Sequence, residues 1–82
     1  MATYLPLDAP VKNNIPTPLT LTALQTYVGG FVKFIELNSG DILVVNDKAT
    51  EFAPINHHAN SFARSAGPIY GHAVLCSPSE IA

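Results

Sequence analysis

The chain has 82 residues, of which 48% are hydrophobic and 12% are charged, and its formal net charge is −2. A chain of this length supports one hydrophobic core, so we expect a single domain. Its four scattered Lys and Arg residues are too few to neutralise a run of phosphates, which argues against binding of extended nucleic acid. The charged fraction is about half that of an ordinary soluble domain, so we expect a homo-oligomer that buries part of the weakly charged surface.

The sequence lacks a possible disulfide, a membrane span and a secretory signal, and these three features indicate the compartment. Cys76 is the single cysteine, so no internal disulfide can form, which fits a reducing compartment. No apolar run approaches the roughly 18 residues of a membrane span. The first ten residues lack the basic stretch followed by an apolar stretch that is typical of a secretory signal. We therefore expect a soluble, intracellular protein with no membrane partner.

Residues 1–18 contain four of the seven prolines. Because proline lacks the backbone N–H that helices and sheets need, this segment is predicted to be an extended Pro-rich arm without regular structure. The arm is too apolar for a solvated tail, so it packs either over its own domain or on a neighbouring subunit. The sequence does not distinguish these two arrangements. Residues 19–78 are predicted to form the α+β domain, and residues 79–82 a frayed tail.

The stretch TPLTLTALQTYVGG, residues 17–30, predicts a short helix. Thr17 or Thr20 can serve as its N-cap, and Gly29 supplies the left-handed residue that ends a helix. Three apolar residues recur at helical spacing and are expected to face the core: Leu21, Leu24 and Val28.

The stretches FVKFIEL, residues 31–37, and DILVVND, residues 41–47, predict a β-hairpin. Both are rich in β-branched and aromatic residues, and Asn38-Ser39-Gly40 provides the turn. The second strand contains a continuous apolar run from Ile42 to Val45, which is typical of a central strand covered on both faces. One short helix can cover only one face, so the second cover is expected from a subunit partner.

After the hairpin, Pro54 interrupts the chain and Asn56 is a good N-cap for a second helix over residues 57–65. The helical spacing predicts that this helix buries Ala59, Phe62 and Ala63. The stretch IYGHAVLCS, residues 69–77, predicts a third strand. The order of elements predicts an α+β fold with a small, mainly antiparallel sheet of about three strands, two short helices and the Pro-rich arm.

The histidines and the cysteine do not predict a metal centre or a catalytic site. His57 and His58 are adjacent, so on a helix they point about 100° apart and cannot both face one ion. His72 and Cys76 have no diagnostic spacing, and a cysteine near the end of an apolar strand is typical of a buried hydrophobe. No set of nucleophile, base and orienting group can be named. We therefore expect no metal, no cofactor and no catalytic residue, and a protein that is not an enzyme.

A ligand-binding set is the stronger functional prediction. Asparagine and histidine provide neutral hydrogen bonds, arginine can clamp a phosphate, and tyrosines provide stacking surfaces. The amides of the first helical turn, at residues 57–59, favour an anion. The predicted ligand-binding residues are Asn46, Asn56, His57, Asn60, Arg64, Tyr27 and Tyr70. In the competing interpretation Asn56 only caps the helix, Asn60 and Arg64 are solvated, and the tyrosines have a packing role.

Four motifs, LQTYVGGFVKFIEL, DILVVND, PINHHAN and GPIYGHAVL, together resemble a family of small proteins of unknown function carried by bacteriophages and plasmids. The matching residues are Leu24, Val28, Gly29, Gly30, Leu43, Val44, Val45, Asn46, Asp47, Pro54, Asn56, Ala59, Gly71, Ala73 and Val74. The resemblance covers roughly residues 20–76, and Lys48-Ala49-Thr50 departs from the family, which often has a glycine there. It implies a viral or mobile-element origin and a host-cytoplasm setting, and it implies no reaction.

These observations lead to three hypotheses about function. The first is a non-enzymatic viral accessory protein of the anti-defence type, a homo-oligomer that binds and sequesters a small nucleotide-like host signalling molecule. The alternative is a protein–protein interaction module that inhibits a host factor through an apolar face. The third is a small hydrolase that uses His57 or His58. A polar cavity in a symmetric oligomer favours the first, a flat apolar patch the second, and turnover the third.

Overall fold

The structure is a computed structural model that describes residues 2–7, 9–48, 54–62 and 68–82. In these ranges the elements are β1 (Thr3–Leu5), β2 (Lys12–Asn13), α1 (Leu21–Val28), β3 (Val32–Glu36), β4 (Ile42–Asn46), α2 (His57–Asn60), β5 (Ala73–Cys76) and a 3-10 turn (Pro78–Glu80). The strands form an antiparallel sheet in the order β2-β1-β5-β4-β3. The predicted α+β class, with a mainly antiparallel sheet and two short helices, is therefore confirmed.

Within the described ranges the sheet has five strands, so the prediction of about three was wrong. The two additional strands, β1 and β2, come from the proline-rich arm. Leu5 of β1 lies opposite Ala73 of β5 and is fully buried. Pro6 follows β1 and Pro10 precedes β2, so the prolines limit the length of these strands without preventing them. The arm thus packs on its own domain.

Helix α1 begins and ends at the predicted residues. The Thr20 hydroxyl accepts the Ala23 N–H at 3.1 Å, and Gly29 adopts φ 82° while its N–H donates to the Gln25 carbonyl at 2.8 Å. Of the predicted apolar stripe, Leu24 and Val28 are buried, but Leu21 is 57% exposed. The first residue of the helix therefore takes no part in the core, although it lies on the predicted stripe.

Strands β3 and β4 form the predicted hairpin, with Phe34 opposite Val44. Gly40 adopts φ 92°, a backbone conformation in the turn that favours glycine. Strand β4 lies between β3 and β5, and its central residues Leu43, Val44 and Val45 are buried. The prediction of a central strand covered on both faces is confirmed.

Hydrophobic residues pack on both faces of this sheet. One face lies under α1, where Leu24 and Val28 pack with Val44 and Val74. The opposite face is covered by α2 and the residues that precede β5. The buried residues there are Leu5, Leu43, Val45, Ala59, Ile69 and Ala73. The described part of the chain therefore covers both faces itself, although we expected a subunit partner on the second.

The last residues are hydrogen-bonded to the segment that precedes α1, in contrast to the expected frayed tail. The Leu19 N–H donates to the Glu80 carbonyl at 2.7 Å, and the Ala82 N–H donates to the Leu19 carbonyl at 2.8 Å. The Glu80 carboxylate accepts the Ser77 N–H at 2.8 Å and the Ser77 hydroxyl at 3.0 Å. The backbone N–H of Ser77, helped by its hydroxyl, holds the pKa of Glu80 below its usual value.

We expect Glu80→Gln to lower the melting temperature at pH 7 and to lower it less at pH 3. A carboxyl whose pKa is lowered by folding stabilises the protein above its unfolded pKa of about 4.3, and this contribution is lost as the pH falls through the lower folded value. Thermal unfolding followed by circular dichroism at both pH values measures the difference between parent and variant. An equal difference at both pH values would contradict a role for the charge.

Candidate functional site

Asn56 begins α2 as the sequence predicts. Its side-chain carbonyl accepts the Ala59 N–H at 3.0 Å, which is the N-cap hydrogen bond. Helix α2 ends at Asn60 rather than continuing to residue 65, because residues 61 and 62 form a turn. Ala59 is buried as predicted, whereas Phe62 is 51% exposed, and Ala63 lies outside the described residues.

The side chain of Asn56 also holds together parts of the chain that are distant in sequence. It is fully buried, and its amide donates to the Leu5 carbonyl at 2.8 Å and to the Gly71 carbonyl at 2.8 Å. An asparagine amide has two hydrogens, and both are used here. Asn56 therefore connects β1, α2 and the segment before β5, and it has no exposed atom to offer a ligand.

We expect Asn56→Ala to lower the free energy of unfolding by about 3–5 kcal/mol. The change removes the cap of α2 and leaves the Leu5 and Gly71 carbonyls buried without this partner. Urea unfolding measures the effect, and Asn13→Ala is the control because Asn13 is exposed on β2. The control should change stability by no more than about 0.5 kcal/mol. Equal effects of the two changes would contradict the connecting role of Asn56.

The other predicted residues of α2 differ in their exposure. The Asn60 side-chain carbonyl accepts the Ile69 N–H at 2.7 Å, so this half-buried residue also holds the chain before β5. His57 and His58 are exposed. Arg64 lies outside the described residues. Where the chain is described, no three His, Cys, Asp or Glu side chains lie close enough together to hold a metal ion.

Asn46 connects the end of α1 to the end of β4. Its amide donates to the Val28 carbonyl at 3.0 Å, and its side-chain carbonyl accepts the Lys48 N–H at 2.7 Å. Gly30 makes room for this contact, since a Cβ at that residue would stand 3.1 Å from the Asn46 amide nitrogen. A larger residue at position 30 would press on the Asn46 side chain.

The two predicted tyrosines lie on opposite faces of the sheet. Tyr27 packs on the α1 face, with its ring centroid 5.0 Å from that of Tyr4. The Tyr4 hydroxyl lies 3.2 Å from Nδ1 of His72, and that nitrogen also accepts the Leu7 N–H at 3.2 Å. His72 thus helps to hold the amino-terminal segment, a contact that no local sequence signal predicts. Tyr70 lies on the opposite face, beside Ile69 and Val45, so within one chain the described residues of the predicted set are not brought together in one place.

Tyr70 and Asn46 instead share a small open cavity between the β3–β4 hairpin and the chain before β5. The cavity has a volume of about 130 Å³. Its described lining residues are Lys33, Ile35, Val45, Asn46, Asp47, Pro68, Ile69 and Tyr70. An engineered cavity of about 150 Å³ holds one benzene ring, whereas drug-sized ligands occupy about 300 Å³ or more. The cavity can therefore accept one ring or one anionic group, but not a whole nucleotide.

Lys33 and Asp47 are the charged residues among these lining residues, and neither belongs to the predicted ligand-binding set. Lys33 shares a strand face with Ile35, which is half-buried. A lysine among apolar residues on one strand face is the sequence feature that could have indicated a site there. An ammonium group attracts anionic groups, and a carboxylate accepts hydrogen bonds from amines.

Cys76 lies on the α1 face and is only 1% exposed. Burial raises the pKa of its thiol to about 11, and the negative charges of Glu80 and Asp41 add to the effect. The prediction that Cys76 is a small buried hydrophobe is confirmed by its position in the core.

We expect the Cys76 thiol of the native protein to react at least about 100-fold more slowly with a disulfide reagent at pH 8 than that of the protein in denaturant. The reason is that the thiolate is the reactive form, and both burial and the raised pKa suppress it in the folded state. Absorbance of the released thiolate measures both rates. Similar rates in the two states would contradict a buried thiol.

Comparison with protein-family models, with curated proteins and with solved structures finds no match to this chain. The resemblance to a phage and plasmid family therefore stays a prediction that depends on the motifs alone. No helix among the described residues is long and apolar enough to cross a membrane.

Proposed function

We propose that this protein is a non-enzymatic accessory protein of a bacteriophage or plasmid that binds and sequesters a small nucleotide-like host signalling molecule. It acts as a homo-oligomer in the host cytoplasm and blunts a defence response. The observation that carries the proposal is the cavity that Tyr70 and Asn46 share with Lys33 and Asp47. The motif resemblance and the weakly charged composition support it.

The lining residues suit the two parts of a nucleotide. The Tyr70 ring is a stacking surface for a base, and Asp47 accepts hydrogen bonds from a base amine. Lys33 attracts the phosphate charge. Because the cavity holds about one ring, the rest of the ligand extends beyond it along the surface of the chain. Binding and sequestration need no activated nucleophile, which fits the buried and protonated thiol of Cys76.

Incubation with a panel of cyclic mononucleotides, cyclic dinucleotides and adenosine diphosphate ribose tests this proposal. We expect one of these ligands to be depleted from solution and to raise the melting temperature, since a ligand at 100 times its Kd stabilises the folded state by about 2.7 kcal/mol. Lys33→Ala with Tyr70→Ala should abolish the shift. Lys12→Ala is the matched control, because Lys12 is an exposed strand lysine away from the cavity.

The chemical form of the recovered ligand separates sequestration from catalysis. Release of the intact ligand on heat denaturation supports sequestration, whereas recovery of a cleaved product would favour the small hydrolase. The absence of both depletion and stabilisation across the panel would contradict nucleotide binding.

A second candidate function is the inhibition of a host factor through an apolar surface. Phe31 is 65% exposed and Phe34 is 47% exposed, and both lie on or beside the edge strand β3. Exposed apolar surface of this kind is typical of protein–protein contacts. A pull-down from host lysate that returns one stoichiometric partner, lost on Phe34→Lys, would favour this function over the first.

A further inference from the structure

The two edges of the sheet differ in how well they are protected from pairing with another strand. Strand β2, at one edge, has two residues, lies between Pro10 and Pro16, and carries the exposed Lys12. Short strands, proline and lysine are the usual means of protecting an edge. Strand β3, at the other edge, runs over five residues, Val32–Glu36, without a proline.

The backbone groups on the open side of β3 can be assigned from the hydrogen bonds at its two ends. The Phe31 carbonyl accepts the Asp47 N–H at 2.7 Å, and the Leu37 N–H donates to the Asp41 carbonyl at 2.9 Å. Hydrogen bonds of an antiparallel strand alternate between its two sides from one residue to the next. The odd-numbered residues therefore bond to β4, and the groups of Val32, Phe34 and Glu36 point away from the sheet.

The side chains along this edge add an apolar contact surface. Phe34 is at the centre of the strand and is 47% exposed. It lies on the α1 face, because it alternates in step with Val32, which packs against the core on that face. Phe31, which precedes the strand, is 65% exposed. Outward-pointing backbone groups beside exposed aromatic rings are the features of an edge that another strand can extend.

We propose that β3 pairs antiparallel with β3 of a second copy of this chain, about a two-fold axis that passes beside Phe34. Such an axis is perpendicular to the sheet, so each residue opposes one on the same face. Phe34 then opposes Phe34, Val32 opposes Glu36, and Lys33 opposes Ile35. This register uses all the outward-pointing groups of the strand.

The charges of β3 favour pairing with a second copy in this register over the two registers shifted by one residue. Lys33 and Glu36 each oppose an apolar residue, so no like charges meet, and the aromatic pair at the axis is a favourable cross-strand contact. A register centred on Lys33 would bring two ammonium groups together. One centred on Ile35 would leave the outward groups of Val32 without a partner within the strand.

The pairing also extends the cavity described above. Lys33 and Ile35 both line that cavity. In the proposed register Lys33 of one copy lies opposite Ile35 of the second copy, on the same face of the sheet. The cavities of the two copies thus lie side by side across the joint, which gives a nucleotide-like ligand the space that one copy lacks. The use of this enlarged cavity by a nucleotide-like ligand rests on the proposed function, whereas the strand pairing does not.

Size-exclusion chromatography with light scattering, without any ligand, tests the pairing. We expect a mass of about twice the 8.7 kDa of one chain for the parent and of one chain for Phe34→Lys, which places two like charges at the axis. Asn13→Lys, on the opposite edge strand, is the matched control and should keep the mass of the parent. A parent of one-chain mass, or a folded Phe34→Lys protein that keeps the parent's mass, would overturn the proposal.

Amide hydrogen exchange on the parent tests the register without any substitution. We expect the N–H groups of Val32, Phe34 and Glu36 to exchange slowly at high protein concentration and to speed up on dilution, while those of Lys33 and Ile35 stay slow. Fast exchange of the outward groups in a dimer would overturn this interface. A dimer that depletes no nucleotide would contradict the proposed function alone, and a monomer that depletes one would contradict the pairing alone.

Discussion

The three hydrogen bonds that the Asn56 side chain makes with described residues, two donated and one accepted, determine how one face of the sheet is covered. The Asn56 amide meets carbonyls of Leu5 and Gly71, which come from opposite ends of the chain, while its carbonyl caps α2. An apolar side chain of equal size would leave these buried groups unpaired, at a cost of about 1–3 kcal/mol for each. The second hydrophobic core, around Ala59, therefore depends on a polar residue at its border.

The cavity depends on other contacts of the same segment, PINHHAN, which spans residues 54–60. Asn60 receives the Ile69 N–H, and Tyr70 forms a bridge with Ile55, so both ends of the PINHHAN segment hold the chain before β5. That chain forms one wall of the cavity, and the β3–β4 hairpin forms the other. The asparagines of this segment thus shape a binding surface through the backbone they hold.

The features that could be predicted from the sequence are those with a local physical cause. The Thr20 cap, the left-handed Gly29 and the hairpin turn each arise from contacts between residues close in sequence. Strand β1 was missed because its partner is remote: Thr3 opposes Leu75. The proline content of the arm indicates irregular structure. The antiparallel pairing of β1 with β5, which is remote in sequence, outweighs this local preference.

The same distinction applies to the candidate site. The cap formed by Asn56 is local and could be predicted, whereas its bonds to Leu5 and Gly71 require the assembled fold. The sequence grouped Tyr27 with Tyr70 because both can stack, yet the sheet separates them. Both faces of β3 carry polar and apolar residues, so the sequence does not indicate that Lys33 faces the cavity.

The position of β5 affects the order in which this sheet can be completed. The last strand of the chain lies between β1 and β4, so both of these have an open edge until β5 joins them. During synthesis β1 leaves the ribosome first and β5 last, so β1 cannot pair with β5 until nearly the whole chain has been made. Pairing between such distant residues is slow because a long loop must close first. A nascent chain that stops before Ala73 therefore lacks β5, the middle strand of the five, whatever it has already formed elsewhere.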